Sequence, residues 1–331
     1  MTRLEALARW LETKCNIDGS HLEPASSDAS FRRYFRITQG ERSFIVMDAP
    51  PELEDCTSFI AIGKLLRSAG LRAPELFAQD LKQGFLLLED LGASTYLQAL
   101  QTQKADPLYR KALTALCTLQ GITVQSSDGI PIYDGPRLQT EMDLCPTWYL
   151  DQHLGRPLND EGIKIWNQAT AAIIQNCLAQ GQVLVHRDYH SRNLMACEPG
   201  PGILDFQDAV LGPITYDLVS LLRDAYIEFD EEQQLDWLVR WWEQARAKKL
   251  PVPDDVGECF RDFEWMGVQR HLKVLGIFAR LHHRDGKSGY LESIPLVLSY
   301  TQKSCERYSE LRPLSRLLAD SHDQLSEGFS F

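Results

Sequence analysis

Two short apolar runs in the middle of the chain each end in an aspartate. The first reads Val183-Leu184-Val185-His186-Arg187-Asp188, with Asn193 just beyond it. The second reads Ile203-Leu204-Asp205-Phe206-Gln207-Asp208. A carboxylate at Asp188 can take a proton from a hydroxyl. An amide oxygen at Asn193 and a carboxylate at Asp205 are hard donors of the kind Mg²⁺ prefers. Asp208 adds a carboxylate able to reach a metal through water. Asp188, Asn193 and Asp205 are therefore the candidate catalytic residues, and Asn193 and Asp205 the candidate metal ligands. Phosphoryl transfer from ATP asks a protein for this set: a base in line with the γ-phosphate and neutralised charge. His186 suits bracing the loop backbone better than chemistry. Taken singly, an Asp after a short strand is often only a turn residue. The ordered combination carries the reading.

The elements that would carry these residues can be read from periodicity. Thr2 to Cys15 has a capping-box start, Thr2 and Glu5, and places Leu4, Leu7 and Leu11 on one helical face. Asn16 to Ala29 is polar and turn-rich. Phe31, Phe35 and Ile37 alternate as in a strand, and Ser43–Met47 returns after a Gln39–Arg42 turn. The loop leading into this hairpin, Ser26-Ser27-Asp28-Ala29-Ser30, could lie over nucleotide phosphates with its N–H groups. A helix is expected over Asp55–Ala69, stopped by Gly70, then strands over Glu75–Asp80 and Phe85–Glu89.

Beyond Gly92 the pattern turns helical. Leu108–Leu119, Ile163–Leu178, Tyr216–Tyr226, Asp230–Ala247 and Asp254–Arg280 show helical spacing. Strands are expected only at Val183–His186, Leu194–Ala196 and Gly202–Asp205, with a Gly212-Pro213 turn after the second motif. The fold class is α+β and bilobal: residues 1–91 as a small β-rich N-lobe binding nucleotide, and 92–331 as a larger helical C-lobe with the catalytic loop and acceptor pocket. Asp217, in a first helical turn, is expected to fix the loop from below. Arg223 and Asp224 follow beside the presumed cleft. The tail after Leu318 is polar.

Composition bounds the function. The 331 residues are 44% hydrophobic, enough for a sizeable core. A net charge of −12 argues against a nucleic-acid partner. The eight cysteines are scattered without a C-x-x-C pair, as in a reducing cytosol. No signal peptide or membrane-spanning run is evident. A cytoplasmic monomer acting on small molecules is the expectation.

His186-x-Asp188-x-x-x-x-Asn193, Asp205-Phe206, Gly212-Pro213 and Tyr216-Asp217 resemble the aminoglycoside phosphotransferase family, the small-molecule branch of the protein-kinase-like fold. Asp28–Arg36, Val46–Pro51, His190–Met195, Asp205–Ala209, Tyr216–Asp224 and Gln269–Gly276 are similar to its branch of bacterial cell-wall amino-sugar kinases. That resemblance implies ATP-dependent, Mg²⁺-assisted phosphorylation of the C1 hydroxyl of N-acetylmuramate or N-acetylglucosamine. The sugar 1-phosphate would feed a uridylyltransferase. It also implies adenine contacts from the backbone of Glu89 and Leu91, and phosphate contacts from the loop at Ser30.

One departure stands out. Met47 occupies the position of the strand lysine that pairs with ATP phosphates in kinases. Arg32 or Arg33 could supply that charge. Alternation with Phe31 and Phe35 favours Arg33 on the cleft side, with Glu52 or Glu54 as its helix partner. On the acceptor side, a lactyl carboxylate calls for a cation, and Arg223, Arg270, His271 and Lys273 are available. Equally, they could cover a polar helix surface. Glu141 and Asp143 could accept sugar hydroxyls, with Asp224 nearby. Trp148 and Tyr149 suit either a sugar face or the core. Two other readings remain: a kinase of another small alcohol, such as an aminoglycoside, choline or homoserine, and a non-catalytic nucleotide-binding protein.

Overall fold

The structure, a computed structural model, describes residues 2–27, 31–124 and 129–319. The chain forms two compact units, Met1–Gln103 with Arg192–Asp208, and Lys104–Ser191 with Ala209–Phe331. Asp188 belongs to the second unit, whereas Asn193 and Asp205 belong to the first.

The first unit is built on an antiparallel sheet. Helix α1 (Arg3–Trp10) starts on the expected capping box and continues as a π-helical turn, Leu11–Cys15. The strands are β1 (Glu23–Ser27), β2 (Arg33–Gln39), β3 (Arg42–Asp48), β4 (Leu76–Asp80) and β5 (Phe85–Glu89), in the order β1-β2-β3-β5-β4. Strand β1 falls in a stretch whose sequence reads as turns. Its Pro and Ser residues carry no alternation, and pairing with β2 alone defines it. Helix α2 spans Thr57–Ser68 and α3 Tyr96–Ala99. Leu7, Trp10 and Leu11 pack on Phe35, Ile37, Val46, Phe85 and Leu87, so α1 and its π-helical turn cover the sheet face that carries these residues. Leu4 stays 42% exposed, outside that core.

Two short strands, β6 (Gln182–Val185) and β9 (Val210–Pro213), pair in the second unit. β7 (Leu194–Met195) and β8 (Gly202–Ile203) form a separate hairpin in the first. Gly212 and Pro213 thus end a strand instead of making a turn, with Gly212 opposite Val183. The rest of the second unit is helical: α4 (Ala105–Gln120), α5 (Gly135–Met142), a π-helical segment (Cys145–His153), α6 (Asp160–Ala179), α7 (Tyr216–Leu222), α8 (Glu231–Ala247), α9 (Val256–His283), α10 (Ile294–Arg307) and α11 (Arg312–Ala319). The expected Tyr216–Tyr226 helix stops at Leu222. Helix α9 is surrounded by the π-helical segment, α10, α6, α7 and α5, and is buried on every side from Phe263 to Gly276. A Cβ on Gly276 would come 2.3 Å from the Leu144 backbone, so glycine permits that close packing. Among the described residues no helix is long and apolar enough to cross a membrane.

Candidate active site

In the second unit β6 delivers the loop that begins at His186. The chain turns sharply there, and Arg187 adopts φ +78°. That left-handed geometry costs a residue with a side chain roughly 1–2 kcal/mol. Asp217, fully buried at the start of α7, holds the turn. Its carboxylate accepts the N–H of His186 at 2.6 Å and of Arg187 at 2.9 Å. Burial pushes Asp217 up to about 7, against the pull of those two N–H groups. Asp224, just past α7, accepts the N–H of Ser191 at 2.9 Å and of Tyr226 at 3.0 Å. The loop is therefore pinned at both ends by aspartates flanking one helix. Inside it the Asp188 N–H donates to His186 Nδ1 at 3.2 Å, so the histidine braces the backbone.

The Asp188 side chain keeps 39% of its surface, which leaves room for an incoming hydroxyl. Charged groups gather beside it. Arg270 Nη2 lies 3.9 Å from Asp188 Oδ1, and Arg270 Nη1 donates to the Arg187 carbonyl at 2.9 Å and to the Tyr216 hydroxyl at 3.2 Å. Lys273 Nζ donates to the same Tyr216 hydroxyl at 3.1 Å and pairs with Glu141 Oε1 at 3.2 Å. Glu141 also takes the Arg187 guanidinium and the Tyr133 hydroxyl. Burial alone would raise Asp188. Lys273, Arg270, His190 and Arg187 outweigh it and hold the carboxyl at about 2. Burial likewise opposes ionisation of Glu141, and Lys273 and Arg187 still keep it below its usual value.

Of the residues expected to meet the acceptor, Glu141 and Arg270 join this set, as does Lys273. The others are engaged elsewhere. Arg223 is buried, with Glu264 at 3.1 Å, Ser304 at 2.7 Å and Gln234 at 3.2 Å. His271 stacks on Tyr300, donates through Nε2 to the Arg223 carbonyl at 3.2 Å, and is lowered to about 3 by burial. Asp224 serves the loop backbone. Asp143 accepts from Gln139 at 2.8 Å and from the Trp166 indole at 3.0 Å, tying α5 to α6. Arg223 and His271 are corrected from acceptor candidates to core residues. The reason is that the helices bearing them have no solvent face there. Tyr149 is buried, and Trp148 is half-buried. Tyr133 and Arg187 were not among the expected residues. Arg187 lies between the motif's His and Asp, which was a usable signal; Tyr133 carried none.

In the first unit the β7–β8 hairpin joins Asn193 to Asp205. Leu204 N–H donates to the Asn193 carbonyl at 2.9 Å. Asn193 Nδ2 donates to Asp205 Oδ2 at 3.3 Å, and Gln207 Nε2 to Asp205 Oδ1 at 2.7 Å. Asp205 takes φ +60°. Phe206 stacks on Phe59 of α2 with ring centres 4.8 Å apart, which anchors the turn. Asp208 is exposed. Among the described residues no cluster of three or more His, Cys, Asp or Glu could hold a metal. Mg²⁺ needs no such cage, since one or two protein oxygens, phosphates and waters complete its octahedron. The juxtaposed Asn193 and Asp205 fit that need.

The face expected for Arg33 is overturned. Arg33 pairs with Asp48 in register, and Asp48 is also bound by Arg3 of α1. Its face is the one covered by α1, together with Phe35 and Val46. Phe31 lies before β2 and is 64% exposed. By alternation Arg32 falls on the opposite face, with Tyr34 and Met47, which face each other across β2 and β3. Arg32 is buried and pairs with Glu54 at 2.9 Å, and Glu54 also accepts the Phe31 N–H at 3.1 Å. Ser30 lies outside the described residues. At the end of β5 the Glu89 N–H donates to the Glu75 carbonyl at 2.8 Å, while the Glu89 carboxylate takes Arg72 at 3.1 Å. Leu91 packs so tightly on the hairpin that a Cβ at Gly202 would come 2.7 Å from it. Arg36 binds Asp90 at 2.6 Å and the Gly92 carbonyl at 2.9 Å, fixing the segment around Leu91.

The profile of the phosphotransferase enzyme family matches residues 21–250. The chain is 47% identical over 300 residues to the N-acetylmuramate/N-acetylglucosamine kinase of Pseudomonas aeruginosa, covering 91% of this chain and 88% of the relative. It is 43% identical to the proteins of the same name from Pseudomonas putida, covering 96% of each chain, and Neisseria meningitidis, covering 100% of each. Among solved structures it is similar to ADP-bound aminoglycoside phosphotransferase APH(2'')-Ib, with TM-score 0.61, 16% identity, and coverage of 90% of this chain and 98% of that one. It is also similar to the choline kinase LicA of Streptococcus pneumoniae, with TM-score 0.63, 11% identity, and coverage of 90% and 98%. At these identities the likeness is one of fold, and the fold is the protein-kinase-like one.

Proposed function

We propose that this chain, which belongs to the phosphotransferase enzyme family, transfers the γ-phosphoryl group of ATP to the C1 hydroxyl of N-acetylmuramate or N-acetylglucosamine. The product is the sugar 1-phosphate. The observation that carries the acceptor assignment is near full-length identity of 43–47% to three kinases named for those two sugars. The site geometry supports the reaction type.

The roles divide between the units. In the second, Asp188 orients the acceptor hydroxyl and takes its proton as the phosphoryl group transfers. A carboxyl held at about 2 is a weak base. It suits a loose transition state, in which the proton leaves late. Asp217 and Asp224 keep Asp188 in place. Glu141, with Tyr133 beside it, is the residue we assign to the acceptor side. In the first unit, the Glu89 carbonyl and Leu91 N–H meet the adenine edge, and the loop at Ser30 meets the phosphates. Arg32, seated by Glu54, supplies the positive charge that Met47 cannot. Asn193 and Asp205 would hold Mg²⁺. That ion, when bound, neutralises charge on the phosphates being separated. We place the activity in the cytoplasm, where ATP is supplied, with the protein acting as a monomer.

The test is incubation with Mg·ATP and, separately, N-acetylmuramate, N-acetylglucosamine, choline and kanamycin, with the product identified by ³¹P and ¹H NMR. Phosphate on the anomeric oxygen of either sugar is expected. Phosphate on C6, or turnover of choline or kanamycin alone, would reject the acceptor assignment.

A further inference from the structure

We propose that Lys273 and Arg270 of α9, restrained by Glu141 of α5, are positioning residues that fix both the direction and the charge state of the Asp188 carboxylate. The inference rests on Asp188 being the base.

The geometry that carries it is a closed set in which only Asp188 keeps substantial exposure. Arg270 reaches Asp188 directly, with 3.9 Å between Nη2 and Oδ1, and its other nitrogen is locked on the Arg187 carbonyl at 2.9 Å. It therefore faces the base at ion-pair distance while hydrogen-bonded to the backbone beside it. Lys273, one helical turn further along the same face, shares the Tyr216 hydroxyl with Arg270, at 3.1 Å and 3.2 Å. Both cations also lie over the Tyr216 ring, 5.3 Å and 5.7 Å from its centre. Tyr216 in turn meets Tyr133 edge-on at 5.3 Å, and Tyr133 donates to Glu141. Glu141 closes the circuit by pairing with Lys273 and Arg187. The side chains of Arg270 and Lys273 are 8% and 9% exposed, so solvent screens them little.

The charges facing Asp188 come from four elements. Arg187 and His190 lie on its own loop, Arg270 and Lys273 on α9, Asp217 on α7, and Glu141 on α5. Besides His190, three permanently charged cations face one working carboxylate, and Glu141 offsets the charge of two of them. Removing Lys273 should therefore let Asp188 bind a proton more readily. Removing Glu141 should do the reverse, by leaving Lys273 and Arg187 uncompensated. A substrate-binding role for Lys273 predicts neither change.

The experiment is the pH dependence of kcat at saturating Mg·ATP and sugar, for wild type, Lys273→Met, Lys273→Arg and Arg270→Lys. In wild type the acidic limb is expected well below the ordinary carboxylate value, its position bounded by the lowest pH at which the folded protein still turns over. Lys273→Met is expected to raise the limb by at least one pH unit, towards the ordinary carboxylate value. Lys273→Arg keeps the charge and should leave it where wild type has it. Arg270→Lys should keep the limb near wild type and lower kcat, because one ammonium cannot both face the carboxylate and hold the Arg187 carbonyl. Should Lys273→Met fold poorly, Lys273→Gln removes the same charge and keeps a polar end near the Tyr216 hydroxyl, and its limb should likewise rise by at least one pH unit. A folded Lys273→Met whose limb stays put would overturn the proposal, as would a sugar KM that rises tenfold with an unchanged limb. Asp188→Asn, run in parallel, tests the underlying reading separately. If it retains more than a tenth of the wild-type kcat, Asp188 is not the base, whatever the other variants do.

Discussion

Asp217→Asn is the most direct probe of how the fold makes the site. The native carboxylate accepts two backbone N–H groups, from His186 at 2.6 Å and Arg187 at 2.9 Å, with no exposed surface. Asparagine offers one acceptor oxygen and one NH2. One N–H must then face a donor, and a buried orphan of that kind costs about 1–3 kcal/mol. The surviving bond also loses the charge assistance it has when Asp217 is ionised. Arg187 meanwhile has to hold φ +78° without the restraint. A loss of about 2 kcal/mol in the working loop geometry, at ~1.4 kcal/mol per factor of ten, is about 30-fold in kcat. ADP release by a coupled assay reads it directly. KM for ATP should move less than threefold, because the nucleotide contacts we assign lie in the other unit. A folded variant, judged by its unfolding midpoint, with kcat within threefold of wild type would show that this clamp does not place Asp188.

Other outcomes follow from the same structure. Arg32→Ala should raise KM for ATP about tenfold and leave adenosine binding unchanged. Arg33→Ala should alter neither and lower only the unfolding midpoint; isothermal titration with both ligands separates the two arginines. Asp205→Asn should raise the Mg²⁺ concentration for half-maximal rate by tenfold or more, read in a metal titration, while leaving the midpoint within a few degrees. His271, buried and held neutral with a value of about 3, should make the protein acid-sensitive. The unfolded chain takes up a proton near its ordinary value of about 6.5 and the native chain does not. Stability should then fall as pH drops from 6.5 towards 3, by up to about 1.4 kcal/mol per pH unit from this residue. Urea unfolding of His271→Gln across that window should show a shallower slope than wild type, and an equal slope would refute the assignment.

The contrast between what could and could not be read from the residues has physical causes. The hairpin β2–β3, helix α2 and strand β5 follow from alternation and periodicity, because each has one buried side. Strand β1 escaped because its register is set by β2 rather than by its own composition. Gly212-Pro213 looked like a turn because no local signal records that β6 lies alongside. For Arg33 the alternation was right and the face was wrong: only the position of α1 says which side of the sheet is covered. Helix α9 misled most. A helix with Arg270, His271 and Lys273 reads as polar on one side, yet the surrounding segments leave it none. Its basic residues balance acids that are distant in sequence, Glu141 and Asp188 among them. The motif itself was plain, since His186, Asp188, Asn193 and Asp205 are close along the chain and their spacing is set by one loop and one hairpin.

Arg187 and Asp205 share an unusual trait, both holding left-handed backbone with full side chains, at φ +78° and +60°. Each position forgoes stability that glycine would return, of the order of 1 kcal/mol. A directed-evolution screen that rewards heat resistance alone would therefore be drawn to glycine at Asp205, while at Arg187 the pairing with Glu141 opposes the same change. A glycine survivor would lack a partner of Glu141 at one position and a carboxylate beside Asn193 at the other. Libraries intended to toughen this scaffold should hold those two codons fixed, or select for turnover in the same round.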